Sequence, residues 1–194
     1  TALFGGKLAT AAVASPFPNA VAATAFAPPP GAGYVDRLIL AKLQALNLPP
    51  SPPATDAEFV RRAYLDVCGV LPPPEAAAAF ATDPDPRKRD KLIDRLLDSP
   101  EYVDYWAHRW SDLLLVSSRK LPPAAVWAFY RTVRRAVAEN HPWDRFARSV
   151  LTASGSALDH GGGNYFAVHK DVTELAESTA TTFLGQSIGC AKCH

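Results

Sequence analysis

Prolines and helix-capping signals divide most of this chain into short helical segments, and this pattern constrains the fold more than any other feature. From Tyr34 onward, apolar residues recur at spacings of three and four, the period of an α-helix with one buried face. The chain contains 18 prolines, and proline either ends a helix or occupies its first turn. The pattern predicts an all-α orthogonal multi-helix bundle with Pro-rich connections.

Two helix starts are marked by their sequences. Thr55 and Glu58 have the spacing of a capping box, in which side chains and backbone N–H groups bond reciprocally across the first turn. Ser99, Pro100 and Glu101 supply an N-cap, a proline at the first helical position and a carboxylate near the positive end of the helix dipole. We therefore expect one helix to begin after Thr55 and another after Ser99.

The second half of the chain gives two further expectations. The final helix is expected to run from Asp171, its N-cap, to Ile188 and to end at Gly189. A set of aromatic residues at helical spacing is expected to belong to the core. This set comprises Tyr105, Trp106, Trp110, Trp127, Phe129 and Tyr130.

The first 33 residues differ in character from the rest of the chain. The segment from Lys7 to Val13 predicts a β-strand, so we expect a short β or extended N-terminal segment, suited to the last strand of a preceding module. The sequence PPPGAG from Pro28 to Gly33 predicts a linker. The expected organisation is the end of a β module plus linker over residues 1–33 and a helical domain over residues 34–194.

Charge and composition argue against several classes of function. Lys and Arg number 20 and Asp and Glu 19, a net charge of +1, so the chain has no broad basic field for nucleic acid. No apolar stretch reaches the roughly 18 residues of a membrane-spanning helix, so no transmembrane segment is expected. The chain has no methionine and stops at the motif described next, so we expect it to be part of a longer polypeptide.

The last five residues carry the clearest chemical signal, a C-x-x-C-H motif formed by Cys190, Ala191, Lys192, Cys193 and His194. This is the signature of covalent c-type haem attachment. Two thiols one turn apart can each add to a vinyl group of one haem, and the adjacent histidine can present a ring nitrogen to the iron. The motif predicts haem c bound through Cys190 and Cys193, with His194 as the proximal iron ligand.

Two other chemistries use a C-x-x-C pair and remain open. A thioredoxin-like dithiol is typical of a βαβ context and a helix start, whereas this pair follows a predicted helix. A zinc site needs a fourth Cys or His ligand, and the sequence has no second C-x-x-C pair. The third thiol, Cys68, lies on an apolar helix and is expected to be buried and inert.

The second axial position of a haem iron would need a nitrogen donor if the ligand lies within this chain. Cytochromes often use methionine there, but the chain has none. His169 is the preferred candidate, because it lies on the approach to the final helix and a loop can fold back over a helix end. His108, His141 and His160 are the alternatives.

Several segments between residues 34 and 194 together carry a family resemblance. They are YVD at 34–36 with Leu43 and LPPSP at 48–52; FVRRAYLD at 59–66 with Gly69, LP at 71–72 and PE at 74–75; KLIDRLL at 91–97 through PEY at 100–102; WDRF at 143–146; and ELAE at 174–177 through FLG at 183–185 to CAKCH at 190–194. The combination resembles the cytochrome-c-like domain of large secreted planctomycete proteins, a domain of unknown function.

The resemblance implies an extracytoplasmic c-type cytochrome-like module, periplasmic or at the cell surface. In such proteins an immunoglobulin-like β-sandwich often precedes the domain, and an Asp or Asn followed by His-Pro-Phe, absent here, usually continues the motif. The first hypothesis is an electron-transfer module with one covalent haem. The alternative is a structural or interaction domain of a large extracytoplasmic protein or complex, with haem auxiliary or absent.

The sequence does not decide whether this chain is an enzyme. It favours an electron carrier or an accessory domain over a catalyst. A haem enzyme would require an open sixth position at the iron. The expected partners are a redox protein or adjacent domains of the same polypeptide, with this chain a candidate subunit of a larger complex.

Overall fold

The computed structural model describes residues 2–4, 7–9, 13–18, 20–169 and 171–193. It divides into two compact units, Thr1–Ala54 and Thr55–His194. Helices dominate the described residues, so the predicted all-α class is confirmed. No helix within the described residues has the length and apolar character needed to cross a membrane.

Within its described residues, the first unit contains two short strands and one long helix. Strands β1 (Ala2–Phe4) and β2 (Lys7–Ala9) pair antiparallel, and β2 falls within the predicted strand, of which residues 10–12 lie outside the described ranges. A 3₁₀ turn at Ala23–Phe26 lies against helix α1 (Tyr34–Ala45). Phe26 is buried within this unit. The contacts between the 3₁₀ turn and α1 join residues on either side of residue 33. The domain boundary predicted between residues 33 and 34 stays a prediction.

The second unit is built from eight α-helices within its described residues. They are α2 (Asp56–Cys68), α3 (Pro74–Thr82), α4 (Lys88–Leu97), α5 (Pro100–Leu113), α6 (Pro123–Ala138), α7 (Trp143–Leu151), α8 (Asn164–Ala167) and α9 (Val172–Leu184). Proline occupies the first turn of α3, α5 and α6, where its missing N–H leaves no helical bond unmade.

The predicted helix starts are confirmed by their hydrogen bonds. Glu58 N–H donates to Thr55 Oγ1 at 3.3 Å, and Thr55 N–H donates to Glu58 Oε2 at 2.8 Å, completing the capping box of α2. At α5, Tyr102 N–H donates to Ser99 Oγ at 3.2 Å. Both helices therefore begin where local side-chain chemistry satisfies their first free N–H groups.

An ion-pair cluster ties the start of α2 to the start of α4. Lys88 Nζ lies 2.6 Å from Asp56 Oδ2, and Arg89 Nη2 lies 2.8 Å from Asp56 Oδ1. The hydrogen bonds from Lys88 and then Arg89 hold the pKa of Asp56 below its usual value. The charged carboxylate therefore stabilises the junction of these two helices.

Two apolar clusters form the core of the second unit. One joins α2, α3 and α4 and includes Cys68, whose thiol lies 3.7 Å from the Leu96 carbonyl oxygen, so its predicted burial is confirmed. The other joins α6, α7 and α8 through Phe129, Phe146 and Tyr165. Each cluster lies where the apolar faces of neighbouring helices meet.

Trp127 departs from the aromatic set predicted to be core. Phe129 is fully buried, but Trp127 is 59% exposed. The buried face of α6 follows a helical spacing through Ala125, Phe129 and Val133. Trp127 precedes Phe129 by two residues, which places it about 160° away around the helix. The remaining members of the set are half-buried: Tyr105, Trp106, Trp110 and Tyr130.

The final helix is shorter than predicted. It ends at Leu184 rather than Ile188, because Gly185 adopts the left-handed conformation with φ of 63°. Glycine enters this region without a steric penalty and commonly terminates helices there. The expected end at Gly189 was wrong because the earlier glycine already stops the helix.

Candidate haem-attachment site

The chain reverses direction immediately after α9 and returns beside that helix. Gly185 N–H and Gln186 N–H both donate to the Ala180 carbonyl oxygen, the second at 3.1 Å. Thr181 Oγ1 donates to the Gln186 carbonyl oxygen at 3.4 Å. A Cβ built on Gly189 would lie 3.7 Å from Glu177 Oε1. The segment that carries the motif therefore lies beside the last turns of α9.

Cys190 and Cys193 share one side of a short turn. The 3₁₀ helix Gly189–Lys192 begins the motif, and Cys193 N–H donates to the Cys190 carbonyl oxygen at 3.3 Å. With three residues per turn, positions three apart are eclipsed. Both cysteines are free and exposed. Their sulfur atoms can therefore reach one ligand from the same side.

Apolar side chains next to this turn are also exposed. Leu184 is 67% exposed and Ile188 is 37% exposed. A porphyrin attached to the thiols could cover such side chains and remove apolar surface from water. The thiol pair and its apolar neighbours thus fit covalent attachment of a haem. His194, the predicted proximal ligand, lies outside the described residues.

His169 has the hydrogen-bonding pattern of a metal-binding histidine. Its Nδ1 lies 2.7 Å from the Tyr165 carbonyl oxygen, which can only accept, so Nδ1 carries a proton. Its Nε2 is buried and has no hydrogen-bond partner among the described residues. In the neutral ring, Nε2 then holds a free lone pair, and a backbone bond to the other nitrogen is the usual support of a ligating imidazole.

His169 and the cysteine turn are connected to α9 through different residues. His169 packs edge-on against Tyr165 with ring centres 4.7 Å apart. The Tyr165 hydroxyl lies 3.1 Å from Thr179 Oγ1 and 3.4 Å from Ser178 Oγ on α9. The cysteine turn instead lies beside Glu177. The role of His169 as second axial ligand stays a prediction.

The other candidate histidines lie at separate places on the second unit. His108 Nε2 is 3.8 Å from Asp112 Oδ2, with both side chains largely exposed. His141 Nε2 is 2.6 Å from Glu139 Oε2. His160 is exposed in the loop before α8. Within the described residues, no group of three or more His, Cys, Asp or Glu side chains is arranged to hold a metal ion.

Two buried glycines support the His169 region, although no motif in the sequence marked them as functional. A Cβ on Gly161 would lie 2.1 Å from the Ala128 carbonyl oxygen, and one on Gly162 would lie 2.4 Å from the Ser149 carbonyl oxygen. Only glycine allows the chain to pass this close to α6 and α7. The run of three glycines marks only a turn or loop in the sequence, and the close approach to α6 and α7 is seen in the structure.

Comparison with known families places the chain in one of them. Residues 34–194 match the family model PSCyt2, described as Protein of unknown function (DUF1549), and the chain belongs to this family. No curated protein and no solved structure matches the chain. The family match spans the same residues as the resemblance found in the sequence.

Proposed function

We propose that this chain is a c-type cytochrome-like electron-transfer module that carries one covalently attached haem. The observation that carries the proposal is the pair of exposed thiols, Cys190 and Cys193, on one side of a single turn and followed by His194. The short name of the family also suggests a cytochrome-like domain. A c-type haem, when bound, supplies one-electron transfer at its iron.

The residues of the motif would hold the haem in complementary ways. Cys190 and Cys193 would each hold the haem through a thioether, formed by addition of the S–H bond across a vinyl double bond, so that no oxidant would be needed. His194 would supply a ring nitrogen to the iron as the proximal ligand. His169 is the candidate for the second axial position, with its proton held on Nδ1 by the Tyr165 carbonyl.

Location and partners follow from this chemistry in the resembling proteins. Haem of the c type is attached outside the cytoplasm there, so we place this module in the periplasm or at the cell surface. Its electron partner is a separate redox protein, an adjacent domain of the same polypeptide or another subunit of a larger complex.

Haem attachment is tested by producing the full chain together with a c-type maturation system. The wild-type protein should keep its pigment through acid–acetone extraction and gain the mass of one haem. The double variant Cys190→Ala/Cys193→Ala should lose both the pigment and the added mass. The matched control Ala191→Ser alters the same exposed turn but keeps both thiols, and it should behave like the wild type.

Free extraction of the pigment, or an unmodified mass beside a correctly matured control cytochrome, would contradict the proposal. Either result would favour the alternative hypothesis, in which the chain is a structural or interaction domain.

The second axial ligand is tested separately in the haem-loaded protein. His169→Phe should convert a low-spin absorption and electron paramagnetic resonance spectrum to a high-spin one, whereas His160→Phe, at an exposed position, should leave it unchanged. A near-infrared band of methionine ligation would refute any ligand from this chain, which has no methionine.

A further inference from the structure

A groove between α5 and α6 lies apart from the cysteine motif. It has a volume of about 340 Å³ and is lined by two valines together with His108, Ser111, Asp112, Trp127 and Tyr130. Sites for small organic ligands usually span roughly 300–1,000 Å³. The groove is thus large enough to receive one part of an extended ligand.

An aromatic platform forms one wall of this groove. Trp127 is 59% exposed, so a large part of its indole is available to a ligand. The indole meets Tyr130 edge-to-face, with ring centres 6.0 Å apart and planes at 84°. The contact with Tyr130 restricts the rotation of the indole, so the Trp127 side chain loses less conformational entropy when a ligand binds.

Polar groups line the other side of the groove. His108 and Asp112 lie one turn apart on α5, and their side chains are 72% and 63% exposed. Ser111 lies between them in the sequence and is 5% exposed, and its Oγ has no hydrogen-bond partner among the described residues. These side chains offer both donors and acceptors to a ligand that carries several hydroxyl groups.

The charge of the groove favours a neutral ligand. Its described lining contains the carboxylate of Asp112 and neither lysine nor arginine. An anionic ligand would meet the like charge of Asp112 there. An apolar side chain of a protein partner would cover Trp127 but would remove water from the exposed His108 and Asp112 without replacing its hydrogen bonds, at a cost to binding.

We propose that this groove binds a neutral pyranose unit of an oligosaccharide. A pyranose has an apolar face of C–H bonds surrounded by hydroxyl groups, which matches an exposed indole flanked by hydrogen-bonding side chains. The ring would stack on Trp127, and its hydroxyls would bond to Asp112 and His108. The inference does not depend on the haem, because none of these residues belongs to the cysteine motif.

The test uses the full chain and isothermal titration calorimetry with soluble neutral oligosaccharides of glucose, mannose and xylose. At least one of them should bind. Trp127→Ala should weaken that binding at least about tenfold, and Asp112→Asn should weaken it to a smaller extent. Tyr34→Ala removes another exposed aromatic side chain, in the first unit, and should leave affinity unchanged.

Because the Trp127 and Asp112 side chains are exposed, their variants should fold like the wild type. Circular dichroism checks that each variant is folded. The proposal is overturned if none of the three oligosaccharide series binds. It is also overturned if Trp127→Ala binds as tightly as the wild type, or if uronate-containing oligosaccharides bind more tightly than neutral ones.

Discussion

Replacement of Gly161 by alanine should destabilise the second unit strongly. Gly161 is buried in the 3₁₀ turn Gly161–Gly163, which packs between α6 and α7. The added Cβ would lie 2.1 Å from the Ala128 carbonyl oxygen and 2.5 Å from Thr132 Oγ1. The first of these atoms belongs to the backbone of α6, so the turn must retreat because the helix cannot yield locally.

The expected cost follows from the size of that retreat. Relief of the clash requires a shift of roughly 1 Å or more before the atoms reach ordinary contact distance. Overpacking of a well-packed core costs about 1–3 kcal/mol. The turn also leads into Tyr165 and Val168, which are 0% and 1% exposed and would lose contacts as it moves. We therefore expect a loss near the upper limit, about 3 kcal/mol.

Gly163→Ala is the matched control in the same turn. Its Cβ would lie 3.9 Å from the nearest atoms, those of Ala157, and its φ of −61° suits any L-residue. Alanine at such a position stabilises a protein by about 0.4–1 kcal/mol through the unfolded chain.

Thermal unfolding followed by circular dichroism distinguishes the two variants. At about 2–4 °C per kcal/mol for a chain of this size, Gly161→Ala should lower Tm by about 6–12 °C. Urea titration should give the same order of stability. Equal stability of the two variants, within about 0.5 kcal/mol, would refute the close backbone approach as the reason for this glycine.

Two predictions concern the start of α2. Asp56→Asn should lower the urea midpoint at pH 7, because hydrogen bonds from Lys88 and Arg89 hold the pKa of Asp56 below its usual value. A carboxyl group whose pKa is lower in the folded than in the unfolded protein stabilises the folded state above the unfolded-state pKa, about 4. This stabilisation is lost as the pH falls through the folded-state pKa. The difference in urea midpoint between the variant and the wild type should therefore narrow as the pH falls below about 4, and a difference that does not narrow would contradict this cause. Thr55→Ala should cost about 1 kcal/mol in the same urea assay at pH 7, because it removes the cap on Glu58 N–H; an unchanged midpoint would show that the cap contributes nothing.

Features that depend on near neighbours in the chain could be predicted from the sequence. The capping box of Thr55 and Glu58 and the N-cap Ser99 form within a single helical turn, and the structure contains both. The end of α9 was harder to predict, because Gly185 and Gly189 both fit a helix terminus. The structure shows the first of them in the left-handed conformation.

Features that depend on tertiary contacts could not be predicted in the same way. A large aromatic residue on a helix usually faces the core, and the exposure of Trp127 follows once Phe129 and Val133 are known to lie on the buried face of α6. The same limit applies to the candidate site. The spacing of the cysteines identifies the motif, but the burial that leaves Nε2 of His169 without a partner among the described residues is visible only in the folded chain.

The reversal at Gly185 has a consequence for the order of folding and modification. Residues 184–193 are exposed throughout, and backbone bonds at the end of α9 hold the returning chain. Segments that bury little apolar surface open locally at low free energy, without unfolding of the remaining structure. Amide hydrogens of this segment should accordingly exchange fast while those of α6 stay protected. Under the proposed function, the two exposed thiols would be open to an attachment enzyme after the bundle has folded, so folding and attachment would be independent steps.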